Sequence, residues 1–368
     1  QQLAIHLPQP RSGTITIHIS YTGQINDQYA GLYRSRYEHQ GQEKWLATSQ
    51  FQASDARRVF PCFDHPAQKG SFDISLLVDQ DLAAVSNTEI VDTTAQENGK
   101  NLIQFARTPK MSPYLVFIGI GEFEFLMADK DRFDLRVVTT AGKSQYGRFA
   151  LDSAREALRF GETYTGIPYP LSKCDLIAVP DSIGAMENFG AVRQSENLLL
   201  VYPDSTAQAD RVRIGSIIAH ELSHMWFGNL VSLADWKYLW LNEAFATFFT
   251  FAIPDNINPD WHVWDDFAAE LMQAGLERDA LLVTVPIELP PAQSLNRDPA
   301  PTPSSAPIIY NKGAAVLRML AAFVGEENFK KGLHQYLHTY QYDSVTSSQF
   351  WGAFDHAAGR DNQEFART

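Results

Sequence analysis

The sequence predicts an α+β protein, an antiparallel β block followed by an α-rich one. Apolar residues alternate in period two over the first 125 or so positions and recur at three- and four-residue spacing beyond about residue 128. The 368 residues, 45% of them hydrophobic, exceed what one small core needs. Two domains are therefore expected, 1–127 and 128–368.

Thr14-Ile-Thr-Ile-His-Ile-Ser20 and Ser71-Phe-Asp-Ile-Ser-Leu-Leu-Val78 read as strands, and Glu97-Asn-Gly-Lys100 as a tight turn between strands. Phe133–Thr140 is a further strand. Ser144–Thr163 then carries apolar residues at helical spacing, as do Asp210–Phe227 and Leu239–Phe251. Seven of the nineteen prolines fall between Val285 and Ile309, which predicts an irregular loop, with a helix resuming at Lys312. No repeat of 20–50 residues is visible, which disfavours a solenoid or propeller.

Thirty basic against forty-three acidic residues leave a net charge of −13, a balance that repels nucleic-acid phosphates and anionic membranes. Cys62 and Cys174 are too few for a disulfide framework or a cysteine zinc site, so any metal must be held by His and carboxylates. The apolar stretch Tyr114–Met127 is interrupted by Glu122 and Glu124 and is too short to span a membrane. The sequence begins at Gln1-Gln2 without Met and is read as a trimmed piece. Compartment is hardly legible: the lack of an Asn-x-Ser/Thr sequon and of paired cysteines favours a cytoplasmic setting over a periplasmic or secreted one.

His220-Glu-Leu-Ser-His224 places two imidazoles at i and i+4 of a helix, on one face and within reach of one ion. Glu221 lies beside that ion without being forced to ligate it, free to take a proton. The pattern alone can arise by coincidence. Glu243, nineteen residues after His224 and among Trp240, Leu241, Phe245 and Phe248, supplies a third ligand, since a carboxylate in apolar company needs a partner. Three protein ligands leave a fourth tetrahedral position for water, the arrangement of catalytic zinc.

Together with this pair of segments, Gly184-Ala-Met-Glu-Asn188, Trp226-Phe-Gly-Asn-Leu-Val231 and Tyr310-Asn-Lys-Gly-Ala-Ala-Val-Leu317 resemble the M1 zinc aminopeptidases. In the β block, Ala30-Gly-Leu-Tyr-Arg-Ser35 and Asp55-Ala-Arg-Arg-Val-Phe-Pro-Cys-Phe-Asp64 are similar to that family's amino-terminal domain. The resemblance covers almost the whole chain and implies a thermolysin-like, mainly α catalytic domain. One zinc per chain would sit on His220, His224 and Glu243, with Glu221 as general base and Tyr310 as donor to the oxyanion. Peptides with a free amino terminus are the implied substrates, with Glu187 anchoring the α-amine and Gln52 as a second group around it. Gly184 and Ala185 would let the substrate backbone add as a strand, within the motif completed by Met186 and Asn188. A large helical carboxy-terminal domain, usual in the family, is expected to be missing.

The sequence departs from the family pattern at Met225, Asp235, Tyr238, Ala244 and His65, and the stretch between Pro180 and Gly184 is one residue shorter. None of these removes a proposed ligand. The alternatives are an epoxide hydrolase of the leukotriene A4 hydrolase type, disfavoured by Ala185 where that branch has Gly, and an inactive peptide-binding scaffold. Endopeptidase action is disfavoured because Glu187 would then have no amine partner.

Overall fold

The computed structural model describes residues 3–129, 131–288 and 301–358. The chain opens with a hairpin, β1 (Gly31–His39) and β2 (Gln42–Gln50), paired antiparallel from Gly31↔Gln50 to His39↔Gln42. Next come β3 (Ser75–Asp79), β4 (Ala83–Ser86), β5 (Ile90–Gln96), β6 (Lys100–Phe105) and β7 (Ile118–Gly121). They form a four-stranded sheet ordered β1-β2-β7-β4 and a three-stranded sheet ordered β3-β6-β5. Between β5 and β6, Asn98 and Gly99 both take positive φ (66° and 70°), the backbone an Asn-Gly hairpin turn requires.

Thr14–Ser20 alternates as a strand should, yet it belongs to none of the strands, and Ile15, Ile17 and Ile19 are exposed. Alternation marks what could pair, but a strand also needs a neighbour to take its backbone bonds. Likewise, of the stretch read as a strand at Ser71–Val78, only residues 75–78 are strand, as part of β3 (Ser75–Asp79).

The second block is built on a five-stranded sheet ordered β11-β12-β10-β9-β8, comprising β8 (Phe123–Met127), β9 (Asp134–Thr140), β10 (Lys173–Val179), β11 (Ala185–Met186) and β12 (Ala191–Ser195). β8 pairs antiparallel with β9, so this sheet crosses residue 127, while β10 runs parallel to both β9 and β12. Every residue of β10 is buried, as a central strand covered on both faces requires.

Helix α1 (Arg148–Thr165) ends at Gly166, whose φ of 66° is the left-handed cap that glycine adopts without strain. Helices α2 (Gln208–Ser223) and α3 (Trp240–Ile257) form the centre of the block, and the largest core cluster surrounds them. Helix α2 stops at Ser223, with His224 still in αR conformation as its C-cap, and α3 runs on through Pro254 in its last turn.

Helices α4 (Val263–Asp266) and α5 (Met272–Asp279) follow, joined by a π-helical turn at Phe267–Leu271. Of the predicted proline-rich loop, residues 289–300 lie outside the described part; the remainder enters a second π-helical turn, Pro307–Lys312, and helix α6 (Gly313–Val324). Helices α7 (Glu326–Thr339) and α8 (Ser347–Ala358) complete the block; the bridge between Ser232–Leu233 (β13) and Ser344–Val345 (β14) ties its end to the turn after α2. Pro307–Val324 is long and apolar enough to cross a membrane by length and composition, yet 44% of it is buried inside the fold, as in a core helix.

Candidate metal centre and substrate site

His220, at the end of α2, and His224, at its C-cap, present their rings edge to face with centroids 4.9 Å apart. Glu243, in the first turn of α3, points between them: its Oε2 lies 3.4 Å from His220 Nε2 and 3.6 Å from His224 Nε2. All three belong to one group of potential metal ligands.

The partners of the other ring nitrogens set the tautomers. His224 Nδ1 is 3.0 Å from the carbonyl of Phe227, which can only accept, so Nδ1 carries the hydrogen. His220 Nδ1 is 3.0 Å from Thr250 Oγ1, whose own hydrogen goes to the carbonyl of Ala246 at 2.8 Å, so this Nδ1 also donates. Both Nε2 atoms are thereby left with lone pairs facing a carboxylate. Three acceptors converge, and only a cation, proton or metal, reconciles them.

Charge in the cluster tells the same story. Burial opposes charge on His224, but Glu187, Glu243 and Glu221 outweigh it and lift its pKa to about 10. Burial would raise Glu243 as well, yet bonding to His220 and the charge of His224 hold it down at about 2. Burial dominates at Glu221 and, with the charges of Glu187 and Glu243 adding to it, lifts it to about 8. Burial and the surrounding carboxylates push Tyr310 well above its ordinary value, which keeps the phenol protonated and a donor. Its ring stacks on that of His220, with centroids 6.3 Å apart.

A second group of carboxylates adjoins the first: ligand atoms of Glu187, Glu221 and His224 lie within 4.8 Å of one another. Glu187 is buried, and its Oε1 has no hydrogen-bond partner among the described residues. An orphaned carboxylate oxygen in a buried site asks for a cationic ligand.

Two family models match this chain, one described as the peptidase family M1 domain over residues 149–368 and one as the peptidase M1 N-terminal domain over residues 1–115. The chain belongs to peptidase family M1. Its similar M1 relatives include aminopeptidase 2 of Candida albicans (37% identity over 94% of this chain and 37% of the relative) and leucyl aminopeptidase of Saccharolobus solfataricus (38%, 95% and 44%). Aminopeptidase M1-A of Oryza sativa subsp. japonica is 40% identical over 94% of this chain and 39% of its own length. The chain thus spans about two fifths of the length of these curated relatives.

Within this M1 fold, β11 is the edge strand of its sheet, so among the described residues no strand pairs with the outer side of Ala185–Met186. Gly184 takes φ 67°, which a side chain would strain, and its carbonyl accepts from Ser195 N at 2.8 Å. Met186 is packed in the core beneath, and Asn188 Nδ2 donates to the carbonyls of Leu115 and Val116 at 3.4 and 3.3 Å, tying the motif to the β block. Gln52 is half-buried after β2, with a cis peptide to Ala53, and no hydrogen bond joins it to the carboxylate cluster among the described residues.

Several contributing residues escaped the sequence reading. Thr250 orients His220. Asn87, from the end of β4, holds the carbonyls of Leu115 and Phe189 at 2.8 and 2.9 Å. Asn229 Nδ2 donates to the carbonyl of Glu187 at 2.7 Å. The buried Arg193, opposite Met186 in the β11–β12 register, donates to the carbonyl of Ile183 at 3.1 Å. A period-3.6 count shows that Thr250 shares a helix with Glu243; Asn87 and Asn229 act across the fold, where no spacing rule reaches, and Arg193 acts ten residues back, beside the β11–β12 pair.

Proposed function

We propose that this chain hydrolyses the amino-terminal bond of peptides that carry a free α-amine, with one zinc ion held by His220, His224 and Glu243. The reading rests most on one observation: two imidazole lone pairs and a carboxylate converge beside a second buried carboxylate, Glu187, that lacks a partner. A tetrahedral ion with nitrogen and oxygen ligands suits that donor set, and zinc bound there supplies a Lewis acid that lowers the pKa of water and polarises a carbonyl.

This chain's own groups do the rest. Glu221 takes a proton from the attacking water and returns it to the leaving amine. Tyr310, protonated, donates to the oxygen on which negative charge develops. Glu187 pairs with the α-ammonium, largely charged near neutral pH since its pKa is about 7.7–8.0, and so fixes the cut one residue in. The substrate backbone lies along the free edge of β11 at Gly184 and Ala185, with Met186 and Asn188 fixing the strand from below, and Gln52 is the second group around the amine. The division at 127/128 belongs to this proposal, as does a cytoplasmic setting, supported by two free thiols, Cys62 and Cys174.

The test is an assay of one peptide, unblocked and N-acetylated, with and without a chelator. Cleavage of the unblocked peptide alone, abolished by the chelator and restored by zinc, is the expected result. Equal cleavage of both forms would remove Glu187 as the amine anchor.

A further inference from the structure

Lys69 is a β-block residue that reaches the floor of the site. Its loop is fixed from both sides: Gly70 and Met111 exchange backbone bonds of 3.0 and 2.9 Å, and Ser112 Oγ donates to the carbonyl of Pro66 at 2.6 Å. From there Nζ donates to the carbonyls of Asn229 and Leu230, at 3.3 and 3.4 Å.

Those two carbonyls lie in the turn that closes α2. In it, Asn229 N bonds to the carbonyl of His224 at 3.0 Å and Leu230 N to that of Met225 at 3.2 Å. The side chain of the same Asn229 holds the carbonyl of Glu187 at 2.7 Å. One ammonium thus grips a turn whose backbone sets His224 and whose side chain sets Glu187. Leu230 O keeps a second donor, Tyr342 N at 2.7 Å.

We propose that Lys69 is a positioning residue that holds Glu187 in register with the His220–His224 pair, so that its loss weakens capture of the α-amine more than the chemical step. This rests on the aminopeptidase reading above. Lys69 does not reach the ligands themselves. Burial pulls its pKa down to about 7, with the Asp343 carboxylate opposing and Lys110 adding to the shift. An amine so placed is a burden on stability that a methionine of similar length avoids, which allows positioning to be separated from folding.

The experiment compares zinc-loaded wild type, Lys69→Met and Lys69→Arg on an unblocked aminoacyl anilide, with hydrogen exchange followed across residues 185–188 and 228–231. For Lys69→Met the expected result is a KM raised about 10-fold, within the 10–100-fold range of residues that orient a site from behind it. kcat stays within about 3-fold and exchange is faster in both segments, while Lys69→Arg, which keeps a donor, recovers most of KM. Unchanged KM, or a loss confined to kcat, overturns the proposal. If wild type is inert toward every unblocked peptide, the aminopeptidase reading falls; exchange alone then decides on Lys69, and an unchanged rate at 185–188 overturns it.

Discussion

Thr250 Oγ1 meets His220 Nδ1 at 3.0 Å from a position seven residues, or two turns, beyond Glu243 on the same helix. Helix α3 therefore carries one candidate ligand, Glu243, and orients another, His220, so the relative placement of the two is set by one rigid element. Thr250→Val keeps the shape and removes the acceptor, leaving the ring free to turn or to change tautomer. Its metal affinity should fall about 10–100-fold with little change in melting temperature. Competition with a chromophoric chelator reads this directly, and an unaltered affinity would mean that packing alone holds the ring.

Glu221 sits between the ligands in sequence but is not one of the converging three. Glu221→Gln should therefore bind metal as wild type does and lose turnover by about 10²–10⁴-fold, the range for removing a positioned base. Metal content by mass spectrometry alongside kcat tests it: a variant that loses its metal would show that Glu221 holds the ion as well.

The convergence of His220 and His224 was legible because i and i+4 on one helix is a local rule, and that of Glu243 because an acid among Trp240, Leu241 and Phe245 has to be partnered. Glu187 and Tyr310 were singled out through the resemblance of whole motifs; Tyr310 stands in a π-helical turn next to a proline-rich stretch, where helical spacing is no guide. Lys69, Asn87 and Asn229 could not be found by spacing at all. Each is an ordinary polar residue whose meaning comes from a carbonyl far away in the sequence, such as Phe189 for Asn87. The error at Thr14–Ser20 has the same origin, since alternation is local while the partner strand is not.

Asp175, fully buried on β10, should set the acid limit of the fold. Its Oδ1 and Oδ2 each lie 2.6 Å from Arg136, Lys173 Nζ is 2.7 Å away, and the same ammonium holds the carbonyls of Ser86 and Gly190, at 2.7 and 2.8 Å. Burial would raise Asp175, but Lys173 and Arg136 together bring it below its ordinary 3.8. A carboxylate lowered on folding adds stability above the unfolded value and loses it as the pH falls through the native one, so the contribution is present above 3.8 and disappears below it. Asp175→Asn leaves two cations without their counter-charge and should cost about 3–5 kcal/mol at neutral pH. Urea unfolding at pH 7 and near pH 3 tests both parts: the gap between wild type and variant should shrink at the lower pH.

Gly313 lets α6 and the π turn that carries Tyr310, the proposed oxyanion donor, approach α3 closely. A Cβ built there would stand 2.6 Å from the Cβ of Ala244 and 3.6 Å from its Cα, and Ala244 is the neighbour of Glu243 while Gly313 follows Tyr310 by three residues. A methyl group on helix backbone cannot swing aside, so Gly313→Ala has to push α6 and the π turn away from α3. That separates Tyr310 from the ion's ligands, and a displacement on the order of 1 Å can cost about 10²-fold in rate. Overpacking should also cost about 1–3 kcal/mol of stability. The decisive variant is Gly313→Ala combined with Ala244→Gly. Moving the methyl from one helix to the other leaves Ile287 Cδ1 at 3.5 Å and the Cα of residue 244 at 3.6 Å as the nearest atoms, both ordinary contacts, and the helices can return to their spacing. Stability should recover only partly, because glycine inside α3 costs about 1 kcal/mol, whereas kcat should return to within a few-fold of wild type. Because Gly313 has ordinary helical backbone (φ −56°, ψ −48°), a double variant as slow as Gly313→Ala alone would show that the helix spacing does not control Tyr310.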